Sequence, residues 1–288
     1  MRFARRIQPL QANVFADMDR AKTKALKADR PLIDLSVGST DLPAPPQALQ
    51  AIAQALDDPS THGYLLHQRT RPFRQAAAQW YEQKFGVAVD PDQEVLALIG
   101  SQEGTAHLPL ALLNPGDFAL LQDPAYPSHA GGVHLASGQI HWMPLRPENQ
   151  FLPMFREIPA AVLAQARLMV LSYPHNPTTA IAPRSFFAEA VAFCQAHDLV
   201  LVHDFPYPDY GFDGVELPSV LQADPDKTCS VEFFSLSKSY NMGGFRVGYA
   251  IGNPAVIQAL GQVKSVVDFN QYLGILQGGM VALAGPQT

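Results

Sequence analysis

Short, mostly apolar runs alternate along this chain with stretches of helical periodicity. The runs at 95–99, 118–121, 168–171, 199–202, 231–234 and 247–251 are rich in Val, Ile, Leu and Phe, and are expected as buried strands. Between them, 103–113, 185–197 (after Pro183) and 255–267 (after Pro254) carry the pattern of helices, with proline at or just before the start. Earlier in the chain 47–56 and 72–85 are also expected as helices, the second placing Phe73, Ala77, Trp80 and Tyr81 on one face, and 271–284 forms another near the end. Continuous apolar strands separated by helices imply a mainly parallel sheet covered on both faces, so the fold class is α/β.

The first 36 residues break this rhythm. They are rich in Lys and Arg and end in a short apolar segment at 32–35, before the Pro/Gly-containing stretch SVGSTDLPAPP. We therefore divide the chain into an N-terminal arm, 1–36, and one large domain, 37–288. No internal repeat or low-complexity tract is present.

Composition narrows the class further. With 20 Lys+Arg against 26 Asp+Glu the net charge is −6, which argues against nucleic acid or an anionic membrane as the main partner. No window approaches the ~20 apolar residues of a membrane helix, and the basic start MRFARRIQPLQ lacks the apolar core of a signal peptide. Two cysteines, Cys194 and Cys229, make no disulfide framework and are expected as reduced thiols of a cytoplasmic protein.

In a doubly wound sheet, ligands sit outside the carboxyl ends of the strands. After 95–99 comes GSQEG opening a helix, where free backbone N–H groups suit a phosphate, although Ser101 read alone is equally an N-cap. After LVLVH comes Asp204, either a cap or salt-bridge member or a partner for a ring nitrogen, with Tyr207 three residues on. After LMVLS comes Tyr173-Pro-His-Asn-Pro, which stiffens Asn176 between prolines. After 231–234 comes SLSKSYNMGGFRVG. Its lysine, Lys238, could form a Schiff base, and Arg246 could hold a phosphate in its planar fork.

Asn176, Asp204, Tyr207, Lys238 and Arg246, in that order and in those contexts, resemble the fold-type-I pyridoxal-phosphate aminotransferases of class I/II. GSQEGTAHLPLALLNPGD, DPAYPSH, SYPHNPT and SLSKSYNMGGFRVGYAIGN are similar to the group containing LL-diaminopimelate and related aspartate or alanine aminotransferases, and the similarity runs from Ile33 onward. The resemblance implies a large domain built on a seven-stranded-type sheet, pyridoxal 5'-phosphate as cofactor, and a homodimer. It gives Lys238 the covalent hold on the cofactor and the proton transfer, and Asp204 the pyridine nitrogen. Tyr207 and Asn176 take the ring's phenolic oxygen, and Tyr126 stacks on the ring. Arg246, Ser235, Ser237, Ser101 and Gln102 hold the phosphate. The backbone of Gly38, with Asn176, meets the substrate carboxylate, and Tyr64 reaches across the dimer to the neighbour's phosphate.

Two departures accompany the resemblance. Arg69 in HQRTRPFR stands where the family has a glycine; if that position requires positive φ, Arg69 introduces strain or shifts the loop. Relatives also continue for roughly another 100 residues, about a small domain's worth, so only the N-terminal piece of the small domain is expected here. The arginine that grips the substrate α-carboxylate would lie in that further part; Arg69, Arg71 and Arg74 are read as surface charges rather than replacements.

The activity so implied is transfer of an amino group between an L-amino acid, of the dicarboxylic or diaminopimelate kind, and a 2-oxo acid. The alternatives are a lyase or decarboxylase on the same fold, or a cofactor-binding fragment with little turnover. Ser235 and Lys238 also fit the S-x-x-K string of penicillin-recognising enzymes, but the companion strings S-D-N and K-T-G are absent. No metal site is predicted: His129 and His134 are five apart without a further ligand pattern, and His203 is expected to pack against the cofactor's surroundings.

Overall fold

The computed structural model describes residues 1–10 and 14–287. Ten α-helices and seven strands are described: α1 (Val14–Lys27), α2 (Pro46–Leu56), α3 (Arg71–Phe85), β1 (Val95–Leu98), α4 (Ser101–Leu112), β2 (Phe118–Asp123), α5 (Pro127–Leu135), β3 (Gln139–Pro144), α6 (Ala160–Leu163), β4 (Ala166–Ser172), α7 (Arg184–Ala196), β5 (Val200–Asp204), β6 (Ser230–Ser235), α8 (Leu236–Ser239), β7 (Gly248–Gly252), α9 (Pro254–Val267) and α10 (Leu273–Ala284).

The strands form one sheet in the order β1-β7-β6-β5-β4-β2-β3. Pairing is parallel except along β7, which runs antiparallel to both β6 and β1. Side chains alternate across the sheet, so adjacent residues enter different layers. Phe234 joins Phe73, Tyr81, Phe187, Phe205 and Tyr249 in the layer beneath α3, α7 and α10. Its neighbour Phe233 joins Leu98, Leu108, Val133, Val202 and Leu260 beneath α4, α5 and α9. Each such buried side chain contributes roughly 1.5–3 kcal/mol, and both layers are closed by helices, as the continuous apolar strands require.

Local chemistry sets the helix ends. Asn253 caps α9 by accepting from the backbone N–H of Ala255 (3.0 Å) and Val256 (3.1 Å), with Pro254 at the first turn. Helices α4 and α5 lie so close that a Cβ on Gly132 would stand 2.4 Å from the Thr105 carbonyl oxygen. That contact brings α5, which carries His129, against the helix that opens at Ser101.

Five elements escaped the sequence pattern, two of them the single turns α6 and α8. Strand β3 lies at the sheet edge, where QIHWMP buries only Met143 and leaves its other positions exposed or half-exposed instead of forming an apolar run. Helix α5, PSHAGGVHL, has two glycines and no apolar stripe, and α1 is dominated by charged residues. Residues 32–35 form no regular element, and Ile33 and Leu35 are exposed. Among the described residues no helix is long and apolar enough to cross a membrane. Both cysteines are free, Cys194 buried and Cys229 half-buried, and burial pushes both thiols up.

Candidate active site

The carboxyl ends of β4, β5 and β6 and the N-terminal ends of α4 and α5 surround an open cavity of about 1380 Å³. It is lined by Gly38, Ser101, Gln102, Tyr126, Asn176, Asp204, Tyr207, Ser235, Ser237, Lys238 and Arg246, which brings together every site residue read from the sequence except Tyr64. Tyr64 lies outside, 88% exposed, edge-on to Phe269 at 6.1 Å between ring centroids.

Asp204, the last residue of β5, is buried. His129 Nε2–H donates to its Oδ2 at 2.9 Å, while Oδ1 is buried with no partner. Tyr126 and Tyr207 flank it, and both phenols are raised by burial and then by the Asp204 charge, so they stay protonated donors. A hydrogen bond donated by the Asn176 amide to the Tyr207 oxygen opposes that rise. Lys238 sits on the single turn α8, which begins where Ser235 Oγ accepts from the Ser237 N–H at 3.2 Å. Its Nζ donates to the Gly38 carbonyl, and burial lowers its pKa.

Arg246 reaches back over the start of α4. It has a left-handed backbone (φ 52°), its Nη1 donates to the Gly243 carbonyl at 3.0 Å, and Gln271 Nε2 donates to its own carbonyl at 3.1 Å. Gly100, at the cap position of α4, has φ 75°, and a Cβ there would lie 2.6 Å from Arg246 Nη2. Only glycine permits that approach. The cap is thus Gly100 and not Ser101, which is the first helical residue, so the reading of Ser101 as an N-cap falls away. Glu103, held by Lys264 Nζ at 2.9 and 3.0 Å, accepts from the Ile99 N–H at 2.5 Å and ties this turn down.

His203 packs behind the cavity, its buried ring between Phe187 and Phe205 and its Nε2 3.1 Å from the Tyr173 carbonyl that opens the loop carrying Asn176. Two expectations are corrected. Arg69 introduces no strained backbone, because it lies in a 3-10 turn (His67–Thr70) and is not among the positive-φ residues. Arg74 is fully buried rather than a surface charge; it bonds Thr70 Oγ1 (3.1 Å) and the Pro91 carbonyl, away from the cavity. Two functional positions went unread. His129 was weighed only as a metal ligand, although DPAYPSH puts it one helical turn after Tyr126; Gly100 had no signal beyond its place between strand and helix.

Among the described residues Glu103, His107 and Asp268 bring carboxylate and imidazole atoms within 4.8 Å of one another. The ammonium of Lys264 already occupies the centre, 2.9 Å from Glu103 and 3.0 Å from Asp268.

The cavity has the donor set of a site for an anionic, nitrogen-containing ring: a buried carboxylate oxygen lacking a donor, an amine, and a guanidinium beside a helix N-terminus. Comparison with known proteins agrees. The family model for aminotransferase class I and II matches residues 30–281. The LL-diaminopimelate aminotransferase of Halothermothrix orenii is 40% identical over 287 residues, covering 100% of this chain and 74% of its own length. That of Dehalococcoides mccartyi is 42% identical over 287 residues, with the same coverage of 100% and 74%. Among solved structures, the probable N-succinyldiaminopimelate aminotransferase of Thermus thermophilus superposes with a TM-score of 0.91 at 48% identity, over 96% of this chain and 74% of that one. BacF from Bacillus subtilis gives a TM-score of 0.95 at 36% identity, over 100% and 73%. The chain belongs to the class I and II aminotransferases, on the fold-type-I scaffold. It is a pyridoxal-phosphate-dependent transaminase.

Proposed function

We propose that this aminotransferase exchanges an amino group between a diaminopimelate-like L-amino acid and a 2-oxo acid, with glutamate and 2-oxoglutarate as the counter-pair. The observation that carries the site assignment is that Asp204, whose buried Oδ1 has no partner, lines the same cavity as Lys238. Support for the substrate comes from the names of the relatives and from one wall of the cavity. Ile181, Tyr210, Phe212, Val215 and Leu217 offer an apolar surface suited to a long aliphatic side chain.

When bound, pyridoxal phosphate supplies an electron sink for the charge left at the substrate's α-carbon. Asp204, oriented by His129, would accept from the ring nitrogen and balance its charge. Lys238 Nζ would hold the cofactor and would move the proton between the substrate's α-carbon and the cofactor; burial lowers its pKa and so favours the neutral amine this requires. Tyr207 and Asn176 donate to the ring's phenolic oxygen, and Tyr126 covers the ring. Arg246, Ser235, Ser237 and the N-terminus of α4 at Ser101 and Gln102 hold the phosphate, where guanidinium and helix dipole act together. Gly38 and Asn176 meet the substrate carboxylate.

We read residues 1–36 as an arm belonging with the small domain and 37–288 as the cofactor-binding domain. We also read the enzyme as a cytoplasmic homodimer, in which exposed Tyr64, beside exposed Phe269, faces the partner. The test is visible absorption of the purified chain with pyridoxal phosphate. A band that LL-diaminopimelate discharges and 2-oxoglutarate restores is expected. A band discharged by aspartate or phenylalanine but not by LL-diaminopimelate would overturn the substrate, and no band at all would overturn the site.

A further inference from the structure

A second buried histidine–carboxylate pair lies behind the cavity, on the other face of the sheet. His203 and Glu232 are register partners on β5 and β6, and both side chains are 0% exposed. His203 Nδ1–H donates to Glu232 Oε1 at 2.6 Å, and Nε2–H donates to the Tyr173 carbonyl oxygen at 3.1 Å. An oxygen thus stands at each ring nitrogen, and the shorter of the two contacts is to the Glu232 carboxylate. That carboxylate also accepts from Tyr81 Oη, Ser219 Oγ and the Val220 N–H, each at 2.7 Å, so every group around it donates.

The Tyr173 carbonyl opens the turn that carries Asn176, and Asn176 bonds the Tyr207 phenol. His203 itself is followed at once by Asp204. One buried ring therefore ties the β4 loop to the end of β5, the two segments that present Asn176, Asp204 and Tyr207 to the cavity. We propose that His203 and Glu232 are positioning residues: they fix the spacing between the ring-nitrogen partner and the phenolic-oxygen donors without touching cofactor or substrate. This rests on the cofactor site proposed above.

The experiment compares His203→Gln, His203→Leu and Glu232→Gln with the parent chain. It measures pyridoxal-phosphate affinity by equilibrium dialysis and the pH midpoint of the Lys238–cofactor visible band. Displaced phenolic-oxygen donors should weaken cofactor binding about tenfold, the size common for supporting-shell changes. The band midpoint should rise, because those donors favour the deprotonated form. His203→Gln, which keeps one donor, should recover part of both effects relative to His203→Leu. A lower unfolding midpoint with unchanged affinity and band midpoint would mean a purely structural pair and overturn the proposal. If the variants do not fold, nitrogen-15 histidine spectra of the parent chain decide: two ring N–H signals from His203 that shift on loading support it, and a single N–H or no shift refutes it. A parent chain that takes up no pyridoxal phosphate would sink the site reading itself, a different failure from a loaded parent with indifferent variants.

Discussion

Asp204 and Glu232 sit on neighbouring strands, each buried and each beside a histidine, and their remaining oxygens tell them apart. Glu232 is surrounded by the donors of His203, Tyr81, Ser219 and Val220. Asp204 has His129 on one oxygen and nothing on the other. A buried acceptor left unpaired costs about 1–3 kcal/mol, more when charged, so such an oxygen on a residue that lines a cavity is best understood as waiting for a donor on a ligand. The saturated carboxylate belongs to the scaffold and the unsaturated one to the chemistry. Burial alone would not separate them.

The sharpest way to break this contrast is at the amine across the cavity. Lys238→Ala should abolish covalent cofactor attachment, read as loss of the borohydride-trapped adduct, and turnover should fall by at least the ~10²–10⁴ that positioned proton transfer supplies. An undiminished adduct would show that another amine is used. Next in size is Asp204→Asn, which keeps the shape but removes the charge at the free oxygen. Covalent attachment should survive, with the amino-acid half-reaction slowed about 10²- to 10³-fold, as for loss of one charge-stabilising group elsewhere. Stopped-flow rates near those of the parent would refute the pairing with the ring nitrogen.

A conservative change at the saturated carboxylate should act on stability instead. Tyr81→Phe removes one donor from Glu232 and leaves the rest, so urea unfolding should show a loss of about 1–3 kcal/mol. Covalent attachment at Lys238 should persist. Loss of the trapped adduct in a folded Tyr81→Phe chain would erase the distinction between the two carboxylates.

Much of the pocket was legible because its residues follow strands. Asn176, Asp204 and Lys238 each stand just beyond an apolar run, and the run both predicts the strand and marks which end faces the ligand. Sheet membership was legible for the same reason, except at edge strand β3, whose half-exposed positions carry no continuous apolar signal. What could not be read was partnership across elements. His129 and Asp204 are 75 positions apart, and their hydrogen bond depends on how closely α5 approaches α4 at Gly132. His203 adjoins Asp204 in sequence, yet in a strand adjacency means opposite sides, so its partners, Glu232 and the Tyr173 carbonyl, lie behind the cavity and could not be read from the chain. Arg69 was suspected from a glycine expected by resemblance, but a 3-10 turn serves that position without a left-handed backbone.

The smallest effect tests another histidine of the same loop. His175 is 3% exposed; its Nδ1 lies 2.8 Å from Thr178 Oγ1, and a hydrogen bond to the Pro124 carbonyl occupies its ring from the other side. Burial, aided by the nearby His129, lowers its pKa to about 4 against an ordinary 6.5, the Pro124 bond working in the other direction. The neutral ring is the one that fits here. Because the folded value lies below the unfolded one, the unfolded chain binds more protons between them. The contribution of His175 is therefore complete above pH 6.5 and lost as pH falls through about 4. Over that window one such group steepens the loss of stability by at most about 1.4 kcal/mol per pH unit. Urea midpoints measured from pH 7 down to about pH 4.5 should fall less steeply in His175→Gln than in the parent chain. Equal slopes would mean that His175 takes up its proton in the folded loop, and that the loop tolerates a charge beside Asn176 that its hydrogen bonds are built to exclude.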